Sequence, residues 1–556
     1  MVVLDVSLNE LYKILNKKLS EEELSEYLLN IKCELDEING NNAKIEVKDF
    51  NRIDLYSLTG IARELKGILN IETGIPKIEI KDSPYSLIAD KEISNVRPYI
   101  VGAIVKNVKL NEDRLKDLIQ LQEKISQSFG RNRQKVAIGT HNFDLIEFPV
   151  YYKLADPETK FIPLGFDKEL SLREILENTE PGKKYSYILN KYNKYPILID
   201  SNNNIISFPP IINSNKIGKL DINTKNIFID VSGTDLEKIL LALNVIVLAL
   251  KDFGGEIYSI NVIYPDKKIK TPELKIIKKE MDLNKIKKYL GIELDDKKIV
   301  EYLNRKRMNA KIENNKLIIE YLNYRDDILS EYDIIEEILI SYGYNNLKPR
   351  EIKIYTKGEL SKERKIINNI RKIMVNMGCI EIYTPILSNK DINSLLNEDR
   401  EIVELINPAS SSYNSIRVYL LSSFLQLLSE NNELKFPAKI FELNRVSYIK
   451  NNKIIEDLDL LYIYSNYEVS VNDSLKVLKR LFKELEIDFD IRNSNHKFLI
   501  DGRQGDILVN NENIGWIGEI DPNILEKLDI KYPLTGFEIS IKELMKYIKY
   551  DIWNWI

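Results

Sequence analysis

Hydrophobic residues recur every three to four positions in several stretches of the chain, which predicts helices there. The clearest stretch is Leu110–Phe129, which Gly130 ends. The capping-box pattern Ser20-Glu-Glu-Glu23 predicts a helix that continues to Leu29. Further helices are predicted at Thr234–Phe253, Leu283–Leu290, Asp296–Asn304, Ile334–Tyr342 and Ser361–Met377.

Short apolar stretches bounded by turn-forming residues predict β-strands between these helices. They lie at Val101–Val108, Lys135–Gly139, Tyr195–Asp200, Ile205–Phe208 and Ile227–Val231, with a hairpin at Ala310–Tyr321. The stretches that follow Met377 are consistent with an antiparallel sheet that has helices packed on it. The pattern therefore predicts an α+β protein with several domains.

Turn signals divide the chain into four predicted domains, 1–90, 91–268, 269–350 and 351–556. Ser83-Pro84, Arg97-Pro98 and Thr271-Pro272 stand near the first two boundaries. The length of 556 residues agrees with this division, since ordinary domain sizes give roughly three to four domains.

Composition indicates a soluble globular protein, with 44% hydrophobic and 30% charged residues. The longest apolar run, Ile239–Leu250, is too short for a membrane span and suits a buried helix. Two cysteines, Cys33 and Cys379, are too few for a disulfide framework and too far apart for a metal clip. We therefore expect a cytoplasmic location and no membrane partner.

The net charge of -5 argues against a surface coated for nucleic-acid binding. Any RNA contact would have to come from local basic patches. Two candidates are Arg131, Arg133 and Lys135, and the run Arg305, Lys306 and Arg307. Solvated loop and helix charges explain the same residues equally well.

A group of carboxylates precedes Tyr342. Asp333, Glu336 and Glu337 are spaced to share one helix face, and Asp327 lies shortly before them. Grouped carboxylates repel each other, and a hard cation would relieve that repulsion. The alternative is a capping box formed by Asp333 and Glu336 at a helix N-terminus, with Arg325 as a neutralising partner.

Several co-linear motifs closely resemble phenylalanyl-tRNA synthetase β subunits. They are Asn51–Arg63 (NRIDLYSLTGIAR), Lys135–Asp144 (KVAIGTHNFD), Phe208–Ser214 (FPPIINS), Tyr324–Glu337 (YRDDILSEYDIIEE) and Tyr342–Asn346 (YGYNN). Asn407-Pro408, Arg417, Phe441-Glu442, Asp501–Arg503 and Gly515–Glu519 continue the order. The chain lacks the insertion and the terminal extension of the bacterial subunits, so it resembles the shorter archaeal and eukaryotic form.

The resemblance implies a role for each predicted domain. Residues 1–90 would form an N-terminal α+β domain, and 91–268 a mixed α/β editing domain. Residues 269–350 would form a small helical, winged module linked to Mg²⁺, with Asp327, Asp333, Glu336 and Glu337 at a site shared with the α subunit. Residues 351–556 would form an inactive class II synthetase-like domain built on an antiparallel sheet.

The editing domain would hydrolyse tyrosine wrongly attached to tRNA(Phe). The resemblance assigns its pocket to Gln122, Arg133, His141, Leu198, Ser207, Asp230 and Ser232. Asp230 and Ser232 would receive the tyrosyl hydroxyl or the amino group, Gln122 and Arg133 the tRNA terminus or the ester. Leu198 would wall the aromatic ring, and His141 would orient water or serve the structure alone.

The chain has no hydrolytic motif of the usual kinds. Its two histidines, His141 and His496, are far apart, neither cysteine has a neighbouring histidine, and no G-x-S-x-G sequence occurs. We therefore expect hydrolysis by a positioned water rather than by a protein nucleophile.

The last domain lacks the residues that class II synthetases use for ATP. No arginine stands shortly before Glu442, and Gly515-Trp-Ile-Gly518 is followed by the acidic residues Glu519 and Asp521. The resemblance thus implies an (αβ)2 heterotetramer in which the α subunit charges tRNA(Phe) with ATP. Two alternatives are a docking scaffold with an inactive editing site and a free-standing hydrolase of mischarged tRNA.

Overall fold

The computed structural model describes residues 2–349, 351–352, 354–396, 400–431 and 434–548. The chain forms two compact units, residues 1–350 and residues 351–556. No helix in the described ranges is long and apolar enough to cross a membrane.

The first unit begins with a small antiparallel sheet flanked by helices. Its strands are in the order β1-β3-β2. Ser20 and Glu23 form the predicted capping box at the start of the second helix, which confirms that prediction. The elements are β1 (Val2–Ser7), α1 (Leu8–Leu15), α2 (Glu21–Leu29), β2 (Cys33–Asn39), β3 (Asn42–Val47) and α3 (Leu58–Ile68).

Two larger sheets follow. The elements are β4 (Ile80–Lys81), β5 (Ser86–Ala89), β6 (Tyr99–Lys106), α4 (Glu112–Gln127), β7 (Val136–Asn142), β8 (Val150–Ala155), β9 (Lys160–Phe161), β10 (Leu170–Ser171), α5 (Leu172–Asn178), α6 (Glu180–Tyr185), β11 (Tyr195–Ile199), β12 (Ile205–Phe208), β13 (Ile212–Asn213), β14 (Ile227–Gly233), α7 (Leu236–Asp252), β15 (Glu256–Tyr258), β16 (Ile260–Ile263) and β17 (Lys268–Thr271). One sheet has the order β13-β12-β11-β8-β5-β16-β17, and the other β4-β15-β6-β14-β7.

The middle of helix α7, residues Ile239–Leu250, is apolar on all its faces because this part of the helix is buried on more than one side. It packs on β6 and β14 and on helices α3 and α4, and its residues share one core with the N-terminal sheet. The one polar residue within the run, Asn244, donates its Nδ2–H to the carbonyl of Glu273 at 3.0 Å. The run Ile239–Leu250 is therefore a buried core helix, as its length predicts.

The first unit ends with a three-stranded antiparallel sheet, in the order β18-β20-β19, and three helices. The helix Glu331–Tyr342 begins three residues before its predicted start. Its capping box is formed by Ser330 and Asp333, so the predicted box of Asp333 and Glu336 is wrong. The elements are β18 (Ile276–Asp282), α8 (Leu283–Leu290), α9 (Asp296–Arg305), β19 (Asn309–Glu313), β20 (Lys316–Leu322) and α10 (Glu331–Tyr342).

The second unit is built on a seven-stranded sheet in the order β21-β24-β25-β29-β28-β27-β26. All its pairs are antiparallel except β21 with β24. The elements are α11 (Lys362–Asn376), β21 (Ile380–Glu381), β22 (Leu387–Ser388), α12 (Lys390–Leu396), β23 (Ser415–Ile416), α13 (Leu420–Glu430), β24 (Ala438–Lys450), β25 (Lys453–Ser465), α14 (Val471–Glu484), β26 (Asp490–Arg492), β27 (Leu499–Val509), β28 (Glu512–Ile520), α15 (Pro522–Lys527), β29 (Leu534–Ser540) and α16 (Ile541–Leu544). The expected antiparallel sheet with packed helices is confirmed.

The predicted elements of the first unit are confirmed, with ends shifted by up to three residues. The predictions missed several elements, among them the strands β8, β16 and β18 and the two short helices α5 and α6. Strands β4 and β5 precede residue 90, yet they pair with β15, β16 and β8 in the two larger sheets. Strand pairing thus extends into the segment that the turn signals assign to the preceding domain.

Candidate functional site

One face of strand β14 presents the side chains on which the site is built. The strand lies between β6 and β7, and Asp230 is opposite Gly102 on one side and Gly139 on the other. Ser232 lies two residues further along β14, so it faces the same side as Asp230. A Cβ on Gly102 would lie 2.8 Å from the Ile229 carbonyl oxygen and from Ile260 Cδ1, so no side chain fits at this position beside Asp230.

A cavity of about 390 Å³ opens between β7, helix α4 and the segment 207–220. Strand β7 is the edge strand of its sheet, so the cavity lies where the sheet ends. Five of the seven predicted pocket residues line it: Gln122, Arg133, Ser207, Asp230 and Ser232. His141 and Leu198 do not.

His141 lies behind the cavity wall and contacts Asp230. Its Nε2 is 2.6 Å from Asp230 Oδ1, and the ring is fully buried. A Cβ on Gly139 would lie 2.4 Å from that carboxylate oxygen and 2.7 Å from His141 Nε2. Glycine is therefore required at this point of β7 for the two side chains to meet. In this structure His141 orients Asp230 and cannot reach the cavity itself.

Gln122 and Arg133 form the opposite wall. The Gln122 amide donates to Thr140 Oγ1 at 3.2 Å, which fixes it against β7. Arg133 Nη1 donates to the carbonyls of Pro210 and Ile211, at 3.1 and 2.8 Å. Its guanidinium also pairs with Glu123 and stacks over a tyrosine ring. Both side chains are thus held in place before any ligand binds.

Ser207 lies deeper in the cavity. Its Oγ is buried and has no hydrogen-bond partner among the described residues. Leu198 pairs with Ser207 on the neighbouring strand but belongs to the apolar core between the sheets. The structure therefore places Leu198 behind the site and leaves the apolar lining to other residues, among them Ile138, Phe208 and Ile211.

Sequence reasoning missed two polar contributors. Thr140 lines the cavity and binds Gln122, and its position directly after Gly139 was the available signal. Arg97 does not line the cavity, but it donates to Ser232 Oγ and to the Ser232 carbonyl, at 3.0 and 2.6 Å. Only the fold reveals this contact, because 135 residues separate the two.

The four predicted Mg²⁺ ligands do not converge. Asp333 turns back onto its own helix start and accepts from the Leu329 and Ser330 backbone. Glu336 pairs with Lys32 at 2.7 Å. Asp327 and Glu337 both pair with Arg325, at 2.8 and 2.9 Å. As placed in this chain alone, these carboxylates do not fit a magnesium site, because each already has a cation or backbone N–H donors as its partner.

Two of these carboxylates belong to a buried ion cluster. Burial alone would raise the pKa of Glu337, but Lys306, Arg325 and Arg52 lower it well below its usual range. Within the described ranges, no three His, Cys, Asp or Glu side chains are grouped to hold a metal ion. The cluster members are Asp54, Glu64, Asp327 and Glu337 with Lys32, Arg52, Lys306 and Arg325.

The second candidate RNA patch is wrong. Lys306 and Arg307 are 2% and 3% exposed. All three residues donate to backbone carbonyls of the N-terminal domain: Arg305 to Ile68, Lys306 to Asn30 and Arg307 to Glu72. The run therefore ties the segment that matches the B5 profile to the first 72 residues and presents little charge to solvent. In the first patch, Arg131 is exposed, whereas Arg133 is held in the cavity wall.

In the second unit, Glu442 is satisfied by its own neighbours. Its carboxylate accepts from Arg417 at 3.0 Å and from the Thr384 hydroxyl at 2.6 Å. Both charged side chains are buried to 1% exposure or less. Asn444 Nδ2 donates to the same carboxylate at 3.0 Å. This position thus forms a closed internal ion pair.

Two family profiles match the chain. The profile for the phenylalanyl tRNA synthetase beta chain CLM domain matches residues 350–541. The profile for the tRNA synthetase B5 domain matches residues 279–344. Together they cover most of the second unit and the end of the first.

Whole-chain relatives extend the likeness to the cavity region. The phenylalanine–tRNA ligase beta subunit of Pyrococcus abyssi is 39% identical over 549 residues, which covers 97% of this chain and 99% of the relative. The same subunit of Sulfurisphaera tokodaii is 38% identical over 538 residues, with 96% and 98% covered.

A solved structure also resembles the first unit. The crystal structure of an N-terminal fragment of the phenylalanyl-tRNA synthetase beta subunit from Pyrococcus horikoshii is 45% identical, with a TM-score of 0.60. It covers 62% of this chain and 100% of the fragment. With near-complete coverage of relatives close to 40% identity, the chain belongs to the family of phenylalanine–tRNA ligase beta subunits.

Proposed function

We propose that the cavity around Asp230 hydrolyses tyrosine wrongly attached to tRNA(Phe). The observation that carries this proposal is the pairing of a fixed carboxylate, Asp230, with the Ser232 hydroxyl on one cavity wall. Tyrosine differs from phenylalanine by one hydroxyl, and an apolar pocket rejects such an added group only about a hundredfold. A second site that hydrogen-bonds the hydroxyl would select tyrosine for removal.

The lining favours attack by water. Neither of the two cavity serines has a base beside it: Ser232 accepts from Arg97, and Ser207 has no described partner. The His141 ring is buried behind Asp230. In the proposed reaction, a water oxygen adds to the ester carbonyl, the bond to the ribose oxygen breaks, and the released ribose hydroxyl takes the proton. Gln122 and Arg133, on the opposite wall, would hold the ester and the terminal nucleotide.

In the proposed complex, the α subunit charges tRNA(Phe) with phenylalanine and ATP, in a cytoplasmic (αβ)2 heterotetramer. The sequence before Glu442 supports this division, because it holds no arginine for ATP and Arg417 already occupies the Glu442 carboxylate. Mg²⁺ would serve the charging reaction by neutralising phosphates. The proposed hydrolysis in the cavity of this chain does not involve Mg²⁺.

The test is deacylation of Tyr-tRNA(Phe) by the purified αβ complex, with Asp230→Ala as the variant. We expect Asp230→Ala to slow deacylation about a hundredfold, because the substitution removes the carboxylate that would receive the tyrosyl hydroxyl. The matched control is Asp144→Ala, an exposed aspartate outside the cavity that accepts from Asn226. Aminoacylation with phenylalanine should be unchanged in both.

The alternative is a scaffold with an inactive editing site. Equal survival of Tyr-tRNA(Phe) with and without the wild-type complex would favour it and overturn the proposal. Hydrolysis by this chain alone at the rate of the complex would favour the free-standing hydrolase.

A further inference from the structure

We infer that Arg97 is a positioning residue that turns the Ser232 hydroxyl into a hydrogen-bond donor aimed into the cavity. The inference rests on the proposed function and adds a residue that the pocket motifs do not contain.

The guanidinium of Arg97 binds Ser232 through two hydrogen bonds. Arg97 is 1% exposed and lies two residues before β6. Its Nε donates to Ser232 Oγ at 3.0 Å, and its Nη2 to the Ser232 carbonyl at 2.6 Å. Two parallel bonds from one planar group fix both the backbone and the hydroxyl of Ser232.

The hydrogen bond between Arg97 and the Ser232 hydroxyl can run in one direction only. Arginine has only donors, so Ser232 Oγ must accept from Arg97. The hydroxyl proton of Ser232 is then free to be donated to a group in the cavity. Asp230, two residues away on the same face, can only accept when ionised. Together they offer one donor and one acceptor, which matches a phenolic hydroxyl and leaves a phenyl ring without a polar partner.

Burial of the Arg97 guanidinium carries a cost in free energy. Among the described side chains, no carboxylate lies within 4 Å of its guanidinium, which bonds only to oxygens of Ser232 and Gln134. Burial lowers the pKa of Arg97 to about 10, so it stays charged at neutral pH. An unpaired buried cation is expensive. The nearby Asp230 acts against burial by raising the pKa of Arg97, which offsets part of that cost.

Arg97 also contacts the segment that carries Arg133 in the opposite wall of the cavity. Its Nη1 donates to the Gln134 carbonyl at 3.1 Å. Gln134 follows a loop in which Arg131, Asn132 and Arg133 all have φ between 49° and 65°, a conformation that non-glycine residues seldom adopt. Arg97 therefore holds the end of the loop that delivers Arg133 to the cavity.

The experiment is a double-mutant cycle in the full αβ complex, with R97M, S232A and the double variant. Two quantities are measured: KM and kcat for Tyr-tRNA(Phe) deacylation, and the affinity for 3′-tyrosylamino-3′-deoxyadenosine and its phenylalanyl counterpart. We expect each single variant to weaken tyrosyl-analogue affinity about tenfold, since one hydrogen bond to the ligand is lost. The double variant should lose no more than either single one, and phenylalanyl-analogue affinity should change less than twofold.

Two further variants guard against a purely structural effect. R97K retains a donor for Ser232 and should recover tyrosyl-analogue affinity to within about threefold of wild type. If R97M does not fold, R97Q, which is neutral and polar, replaces it in the cycle. R63M removes another buried arginine, paired with Asp252 outside the cavity, and should lower thermal stability without changing the preference for the tyrosyl analogue.

The outcomes separate the two proposals. Additive losses, or equal losses for both analogues, overturn the role of Arg97 while leaving editing intact. A wild-type complex that binds the tyrosyl analogue without hydrolysing Tyr-tRNA(Phe) overturns editing, and the affinities still test Arg97. A wild-type complex that does neither overturns both.

Discussion

The carboxyl group of Asp117 in helix α4 is buried, and none of the described lysine, arginine or histidine side chains pairs with it. Its Oδ1 accepts from the Leu58 backbone N–H at 2.8 Å, whereas Oδ2 has no described partner. Burial raises the pKa of Asp117 to about 7. Because the folded state holds this proton more tightly than the unfolded chain, stability falls as pH rises from about 4 to about 7.

Asp117→Asn should therefore stabilise the first unit at pH 8, by about 1–3 kcal/mol after the cost of an unsatisfied amide. At about pH 2.5 the gain should vanish, since the aspartic acid is then largely protonated in both states. Thermal unfolding, followed by circular dichroism at the two pH values, measures the difference in stability between the variant and the wild type. A control is Asp113→Asn on the same helix, whose partner is the Ser7 hydroxyl. Equal shifts at both pH values would contradict the assignment.

At the scale of the element, strand β7 combines an edge position with a glycine that has no room for a side chain. Gly139→Ala would place a methyl group 2.4 Å from Asp230 Oδ1, which must displace the carboxylate from His141. We expect about 1–3 kcal/mol of destabilisation and at least a tenfold slower deacylation of Tyr-tRNA(Phe).

The control is Gly358→Ala, where an added Cβ meets no atom within 4 Å. It should change neither the unfolding temperature nor the deacylation rate. An active Gly139→Ala complex would show that the contact between His141 and Asp230 is dispensable.

Sequence patterns predict these elements well and their mutual contacts poorly. The alternation along β14 places Asp230 and Ser232 on one face, and the period along α4 predicts a helix that carries Gln122. Leu198 fails as a cavity wall because the pairing of β11 with β8 and β12 decides which side chains reach the gap. No local pattern reveals Arg97, since its bond to Ser232 depends on the register between β6 and β14.

At the scale of the first unit, the two motifs Asn51–Arg63 and Tyr324–Glu337 meet in the buried ion cluster. Arg52 lies 3.9 Å from both Asp327 and Glu337, across two domains. Sequence reasoning assigned Asp327 and Glu337 to a metal, because spacing along one helix does not show which cations another domain contributes. The fold supplies those cations from residues more than 250 positions away.

Glu337→Gln should destabilise the first unit by about 3–5 kcal/mol, because it leaves buried Arg325 and Lys306 short of a counter-charge. The pKa of Glu337 is lowered in the folded state. Its contribution is therefore present above the unfolded pKa of about 4.3 and is lost as the pH falls below that value. The difference between the variant and the wild type should shrink accordingly in acid.

The measurement can isolate the first unit, since all three tryptophans lie in residues 351–556. A transition seen by circular dichroism and not by tryptophan fluorescence belongs to residues 1–350. Glu331→Gln, which removes an exposed pair with Lys285, should change stability by less than about 1 kcal/mol. A comparable loss in both variants would contradict the special role of the cluster.

The ion cluster also limits how such a protein can be recombined. A chimera that takes residues 276–349 from a relative replaces Lys306, Arg325, Asp327 and Glu337, which are one half of a charge pattern. The other half, Lys32, Arg52, Asp54 and Glu64, stays with the recipient. A mismatch at any of these positions would strand a charge in the interior, so the two segments should be inherited together and exchanged only as a pair.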